Sequence, residues 1–188
     1  MIDSRFQLIY ITTPHFWKGE ADAINRLMDE QDFVLHLRKP NATENEVTTL
    51  LNQILPMFYA RIVLHEHFHL CADFQLRGAH LNSRCNVLPD GFSGTVSRSC
   101  HSLEELEIYN KQNFNYLTLS PIFDSISKKG YASNFTVEEL KKAANDGIIN
   151  HKTIALGGVT TNRLPILKDI GFGGAALLGD VWKKWNTL

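Results

Sequence analysis

Apolar residues come in short runs that alternate with longer amphipathic stretches from one end of the chain to the other. The runs at residues 6–12, 32–37, 60–65, 78–81, 94–97, 116–119, 153–156 and 174–178 predict eight strands. Several are almost continuously apolar, as expected of parallel strands covered on both faces. The stretches at 21–29, 44–55, 102–110, 136–145 and 161–170 repeat apolar residues at helical spacing. Thr43 with Glu46, and Ser102 with Glu105, have the spacing of a capping box, in which the hydroxyl and the carboxylate satisfy orphan N–H groups at a helix start. Gly171 follows the last of these helices as its left-handed stop.

Eight strands in strict alternation with helices predict an α/β fold, a compact (β/α)8 TIM barrel rather than an open doubly wound sheet. Such barrels take about 250 residues, with about 200 at the compact end. At 188 residues one element must be trimmed. Between Leu81 and Gly94, the residues Asn82, Pro89, Asp90 and Gly91 leave no amphipathic pattern, so the fourth helix is expected to be shortened or missing. No linker, repeat or charge run divides residues 1–188, which read as a single domain.

Composition narrows the function. Lys and Arg number 19 against 20 Asp and Glu, a net charge of −1, which argues against a nucleic-acid surface. A chain that is 44% hydrophobic and this long buries a core without disulfide staples. Cys71, Cys85 and Cys100 are odd in number and lack CxxC spacing, which predicts a reducing compartment. No apolar run approaches the roughly 20 residues a membrane span needs. Asp3 and Ser4 precede the first apolar segment, unlike a secretory signal. The expectation is a cytoplasmic protein without nucleic-acid or membrane partners; a homodimer is left open.

In a barrel of this kind the chemistry lies at the C-terminal ends of the strands, and the polar residues gather there. Strand two ends with His36 and Arg38, strand three with His65 and Glu66, strand four with His80 and Asn82, strand five with Ser97, Ser99 and His101. Strand six runs towards Ser125, Ser127 and Lys128, strand seven into Gly157 and Gly158, strand eight into Gly179. One buried histidine is an ordinary satisfied core group, and His80 alone reads as a structural hydrogen-bonder. Histidines at four consecutive strand ends point to a site. Glycine loops after strands seven and eight allow backbone N–H groups to approach a phosphate; a turn needing positive φ is the plainer reading of the same glycines. The run His65, His67, His69 would share one face if extended, but 66–76 reads as the start of a helix, which scatters it. No Cys and His set has a standard zinc spacing.

These segments together resemble the thiamine phosphate synthase and TenI superfamily of small (β/α)8 proteins. Leu35-His36-Leu37-Arg38-Lys39 resembles its Gln-x-Arg-x-Lys strand, Gly78-Ala79-His80-Leu81 its Gly-Val-His-Leu, and Ser99-Cys100-His101-Ser102 its Ser-x-His-Ser. Pro121 through Lys128 resembles its Gly-Pro-x-Phe-x-Thr-x-Thr-Lys segment, and Gly157-Gly158-Val159 its Gly-Gly-Ile phosphate loop. The resemblance implies a phosphorylated thiazole as ligand. One branch, the synthase, joins a pyrimidine pyrophosphate to a thiazole phosphate with the help of Mg²⁺; another, the TenI branch, includes metal-free thiazole tautomerases. By resemblance, Ser125, Ser127, Gly157 and Gly158 hold the thiazole phosphate, and Gly179 joins them as the glycine of the loop after strand eight. Arg38, Lys128 and Ser99 lie at the pyrophosphate pocket, with His36, His65 and His80 nearby, and His101 falls on the tautomerase acid/base.

Departures from the pattern decide the expected branch. His36 replaces the Gln, Pro40 the second cation, with Lys39 displaced onto the other face. His65-Glu66 replaces an Asn-Asp pair and Cys85 a metal-binding Asp. Mg²⁺ demands hard oxygen ligands, for which a thiol is a poor substitute. The favoured expectation is therefore a tautomerase without cofactor, with His101 as acid/base. The alternatives are a Mg²⁺-dependent synthase with Glu66 as metal ligand and a non-catalytic binder of thiamine phosphate or thiazole phosphate.

Overall fold

A computed structural model describes residues 6–124 and 135–185. Eight parallel strands close in sequence order: β1 (Gln7–Ile11), β2 (Val34–Leu37), β3 (Ile62–Leu64), β4 (Gly78–Leu81), β5 (Thr95–Cys100), β6 (Tyr116–Leu119), β7 (Thr153–Ala155) and β8 (Gly174–Leu177). β8 returns to pair with β1, Leu8 beside Ala175. Outside the strands lie α1 (Glu20–Glu30), α2 (Glu44–Gln53), α3 (Leu70–Asp73), α4 (Leu103–Asn110), α5 (Val137–Asn145), α6 (Leu164–Ile170) and α7 (Gly179–Trp182). No helix joins β4 to β5, as the patternless stretch after Leu81 predicts.

The caps follow the sequence chemistry with one change. Thr43 accepts from the Glu46 N–H while Glu46 reaches back to the Thr43 N–H, and Thr136 with Glu139 does the same on α5. Ser102 accepts from the Glu105 N–H, but the Glu105 carboxylate bonds the N–H of His101 at 2.7 Å instead of that of Ser102. Gly171 ends α6 at φ 109°.

Three boundaries differ from the periodicity. β5 runs on to Cys100, because its pairing with β6 continues through Ser99–Thr118 and Cys100–Leu119. The stretch from 66 forms a turn and the single helical turn of α3, with His67 at φ 53°. The helix expected over 44–55 ends at Gln53 and a 3₁₀ segment, Pro56–Arg61, follows, since proline has no N–H with which to continue α2.

Two apolar layers result. Strand residues that face outward pack with the helices, Leu35, Leu64, Ala79 and Leu119 meeting Leu27, Leu51, Leu106 and Leu167. A smaller cluster fills the barrel interior: Ile9, Ile11, Val34, Val63, Tyr116, Ile154 and Ala176. Trp182, fully buried, donates its Nε1–H to the Ile11 carbonyl at 2.7 Å and ties the C-terminal segment to β1. Among the described residues no helix is long and apolar enough to cross a membrane.

Candidate active site

Successive side chains of a strand face opposite sides, so every second residue enters the barrel. Register carries this inward row from Ile11 to His36 and from His36 to Val63. At the N-terminal end the row is Ile9, Val34, Val63, Ile154 and Ala176, an apolar plug. One step nearer the C-terminal ends it turns polar, with His36, His65, His80, Ser97 and Thr118 all buried. Above them opens a cavity of 510 Å³ lined by His36, Arg38, His65, His80, Asn82, Arg84, Ser99, His101, Thr118, Ser120, Leu156 and Leu178. Leu156 and Leu178 immediately precede Gly157 and Gly179, so the glycine loops and His101 stand at the same mouth.

Three of the predicted histidines meet inside the barrel. His36 Nδ1 lies 2.9 Å from His65 Nε2, and His36 Nε2 lies 2.6 Å from the Tyr116 hydroxyl. His80 Nδ1 and Nε2 each lie 2.8 Å from a serine hydroxyl, Ser97 and Ser99 respectively. Burial dominates their titration, because a charged imidazole there would lose its water. It holds His36 and His65 well below the usual histidine value, with nearby His80 adding to both, and lowers His80 to about 3, with Arg38 and Arg98 adding. All three are neutral at pH 7. Burial likewise pushes the Tyr116 phenol up to about 12.

His101 is separate from this trio. It is exposed at the rim, with Nδ1 3.3 Å from the Ser120 carbonyl and hydroxyl oxygens. Arg38 lines the cavity; its backbone N–H bonds Thr12, and its guanidinium has no ion-pair partner among the described residues. Arg84, which carried no sequence signal because it sits in the patternless loop after β4, faces the same space and lies 3.5 Å from Glu66. Glu66 does not line the cavity; its other oxygen accepts from the Lys39 N–H at 3.4 Å. Lys39 points away altogether, bonded to Glu20 at 2.6 Å and to the carbonyls of Thr13 and His15. Burial pushes the Cys85 thiol up, and neighbouring Glu66 adds to the effect. A carboxylate held by Arg84, next to a thiol, is not the set of hard oxygens that Mg²⁺ requires, so Glu66 and Cys85 do not fit a magnesium site.

Gly157 and Gly158 adopt φ 90° and 63°. A Cβ on Gly158 would stand 2.5 Å from the Asp124 carbonyl oxygen, so the turn presses against the loop after β6 in a way no side chain permits. Both carbonyls are used, Gly157 by the Phe123 N–H and Gly158 by Arg163, while neither glycine N–H has an acceptor among the described residues. The turn thus needs positive φ and leaves two donors without an acceptor among the described residues. Gly179 opens α7. Ser125, Ser127 and Lys128 lie outside the described residues.

Fold and cavity define a (β/α)8 barrel with a cationic, imidazole-floored pocket at its C-terminal mouth, the place where such barrels receive small anionic molecules. The family model described as thiamine monophosphate synthase matches residues 8–181, and the chain belongs to that family, whose members act in thiamine biosynthesis. A crystal structure of thiamine phosphate pyrophosphorylase from Bacteroides thetaiotaomicron is 42% identical, covers 95% of this chain and 86% of its own, and superposes with a TM-score of 0.86. Thiamine-phosphate synthase from Photorhabdus laumondii is 26% identical over 85% of this chain and 77% of its own. That from Bacteroides fragilis is 21% identical, over 78% of each. These relatives bear the name of the transferase and side with the synthase expectation over the tautomerase one.

Proposed function

We propose that the protein is a thiamine-phosphate synthase, joining a pyrimidine pyrophosphate to a thiazole phosphate with loss of pyrophosphate. The observation that carries this reading is the 42% identity, along nearly the whole chain, with a protein described as thiamine phosphate pyrophosphorylase. The cavity supports it. Arg38 offers to a pyrophosphate a guanidinium with no ion pair among the described residues, and Arg84 adds a second positive charge where the leaving group would gather negative charge. The N–H groups of Gly157 and Gly158, which have no acceptor among the described residues, are suited to the phosphate of the thiazole, which Ser125, Ser127, Gly179 and Lys128 would complete by resemblance. A cytoplasmic place of action goes with this reading.

A second reading, a thiazole tautomerase, draws on a specific observation: Lys39 is locked to Glu20, and Cys85 stands where a metal-binding Asp is expected. There the rim imidazole of His101 takes and returns the proton, a role for which histidine titrates in the right range. One experiment separates the two. Purified protein given both substrates, with and without Mg²⁺, should form thiamine phosphate and release pyrophosphate. If no coupling occurs and the protein instead aromatises a thiazole phosphate tautomer, with turnover lost in His101→Asn but ligand binding kept, the tautomerase reading replaces the synthase. Ligand binding with neither reaction would leave a non-catalytic binder.

A further inference from the structure

The trio at the floor of the cavity is more than a polar lining. His36, His65 and His80 come from three neighbouring strands, are 1%, 5% and 1% exposed, and each presents a ring nitrogen within 4.8 Å of a ring nitrogen of the other two. We propose that these three histidines form a binding site for a transition-metal ion of the zinc class, with its remaining coordination position open to the cavity. Three imidazoles and one open position are the ligand pattern of a zinc centre that takes water or an anion as fourth ligand.

Binding draws together ring nitrogens that now lie within 4.8 Å of one another. A tetrahedral zinc ion about 2.05 Å from each nitrogen holds those nitrogens about 3.3 Å apart. The His36–His65 pair is already at 2.9 Å, so the ion takes the place of the proton the two rings now share, which moves to the other nitrogen of the ring that carries it. The second shell is in place for two of the rings. The Ser97 hydroxyl donates to the Ala79 carbonyl at 3.3 Å and so accepts from His80 Nδ1–H, which leaves His80 Nε2 as the free lone pair once Ser99 turns aside. The Tyr116 oxygen can accept from His36 Nε2–H in the same way. Such partners orient ligating imidazoles and set their tautomers. The charged neighbours of the three rings are Arg38, Arg77, Arg84 and Arg98, and no carboxylate lines the cavity among the described residues. These arginines oppose a bound dication, so the site calls for an anionic fourth ligand that offsets their charge. Soft to borderline ions of Zn²⁺, Co²⁺ or Ni²⁺ type suit three nitrogens; Mg²⁺ does not.

The site stands whichever reaction the protein catalyses, and its test reads metal binding alone. Untagged full-length protein, stripped with chelator, is titrated with Zn²⁺ by calorimetry and with Co²⁺ by visible absorption. The expected result is saturation at one ion per chain, with the intense d–d bands of a four- or five-coordinate nitrogen site and little proton release. His80→Asn and His36→Gln should each weaken binding by more than about 100-fold, beyond the usual loss for an outer-shell partner. Half-buried His67 and exposed His69, outside the barrel, are the control: replacing both with alanine should leave the titration unchanged. Failure of the parent protein to bind one equivalent overturns the proposal without recourse to any variant, and so does binding that disappears with His67 and His69 but survives in the barrel variants.

Discussion

Arg38 is a half-buried guanidinium facing a cavity, its charge opposed by burial and by Arg84 and favoured by Glu66. An arginine that faces a cavity with no ion pair among the described residues is a contact for an anion. Arg38→Met should weaken inorganic pyrophosphate binding by about 1.5–3 kcal/mol, the range for hydrogen bonds to charged groups; calorimetric titration reads this, and an unchanged affinity removes Arg38 from the anion site. The cysteines make a second prediction at this scale. Burial pushes Cys71 and Cys100 up to about 12, and both are buried, whereas Cys85 is partly exposed. One thiol per folded chain should react quickly with a disulfide reagent and three after urea; more than one fast thiol in native buffer would contradict the buried placement. The sequence showed His36, His65 and His80 as strand-end residues. It could not show that they touch, because inter-strand register is set by eight-fold closure rather than by any local pattern. Arg84 escaped notice for the opposite reason: it lies in a loop with no periodicity at all.

At the scale of elements, Lys39 shows how one residue of register changes a role. Arg38 enters the barrel mouth, so Lys39 must leave it, and its ammonium ends against Glu20 at the start of α1 with both side chains 0% and 2% exposed. Lys39→Met should cost about 3–5 kcal/mol by stranding the Glu20 carboxylate, whereas Lys39→Met with Glu20→Leu should recover most of that loss. Urea unfolding of both variants tests it; a single variant as stable as the parent would mean the pair contributes nothing to holding the β1–α1 loop. The strands and most helices were readable because alternation and helical spacing are local properties. The one-turn α3, the extra length of β5 and the 3₁₀ segment at Pro56–Arg61 were not, since pairing partners and a proline at a helix end override the apolar pattern there.

On the scale of the whole molecule, Asp180 joins the last helix to the loop after β7, accepting from the Thr161 N–H at 2.9 Å and hydroxyl at 2.8 Å. These bonds hold its carboxyl below the ordinary value of 3.8. The folded value is the lower one, so the contribution is complete above pH 3.8 and fades as the pH falls through the lowered value. Asp180→Asn should unfold at a lower temperature than the parent at pH 7, with the gap closing in strong acid; a gap of constant size across that range would show that proton binding to Asp180 is not involved.

The seam between β1 and β8 has a consequence for how the protein is made. The first strand synthesised finds one of its two neighbours only when residues 174–177 have left the ribosome, and Trp182 must follow to cap Ile11. Until then the nascent chain carries two raw sheet edges, from β1 and β7, of the kind that invite pairing with other chains. Long-range closure of this sort also slows folding. Aggregation during translation, rather than loss of any single side chain, is thus the hazard built into this topology, and prematurely ended chains are the species that should need a chaperone most.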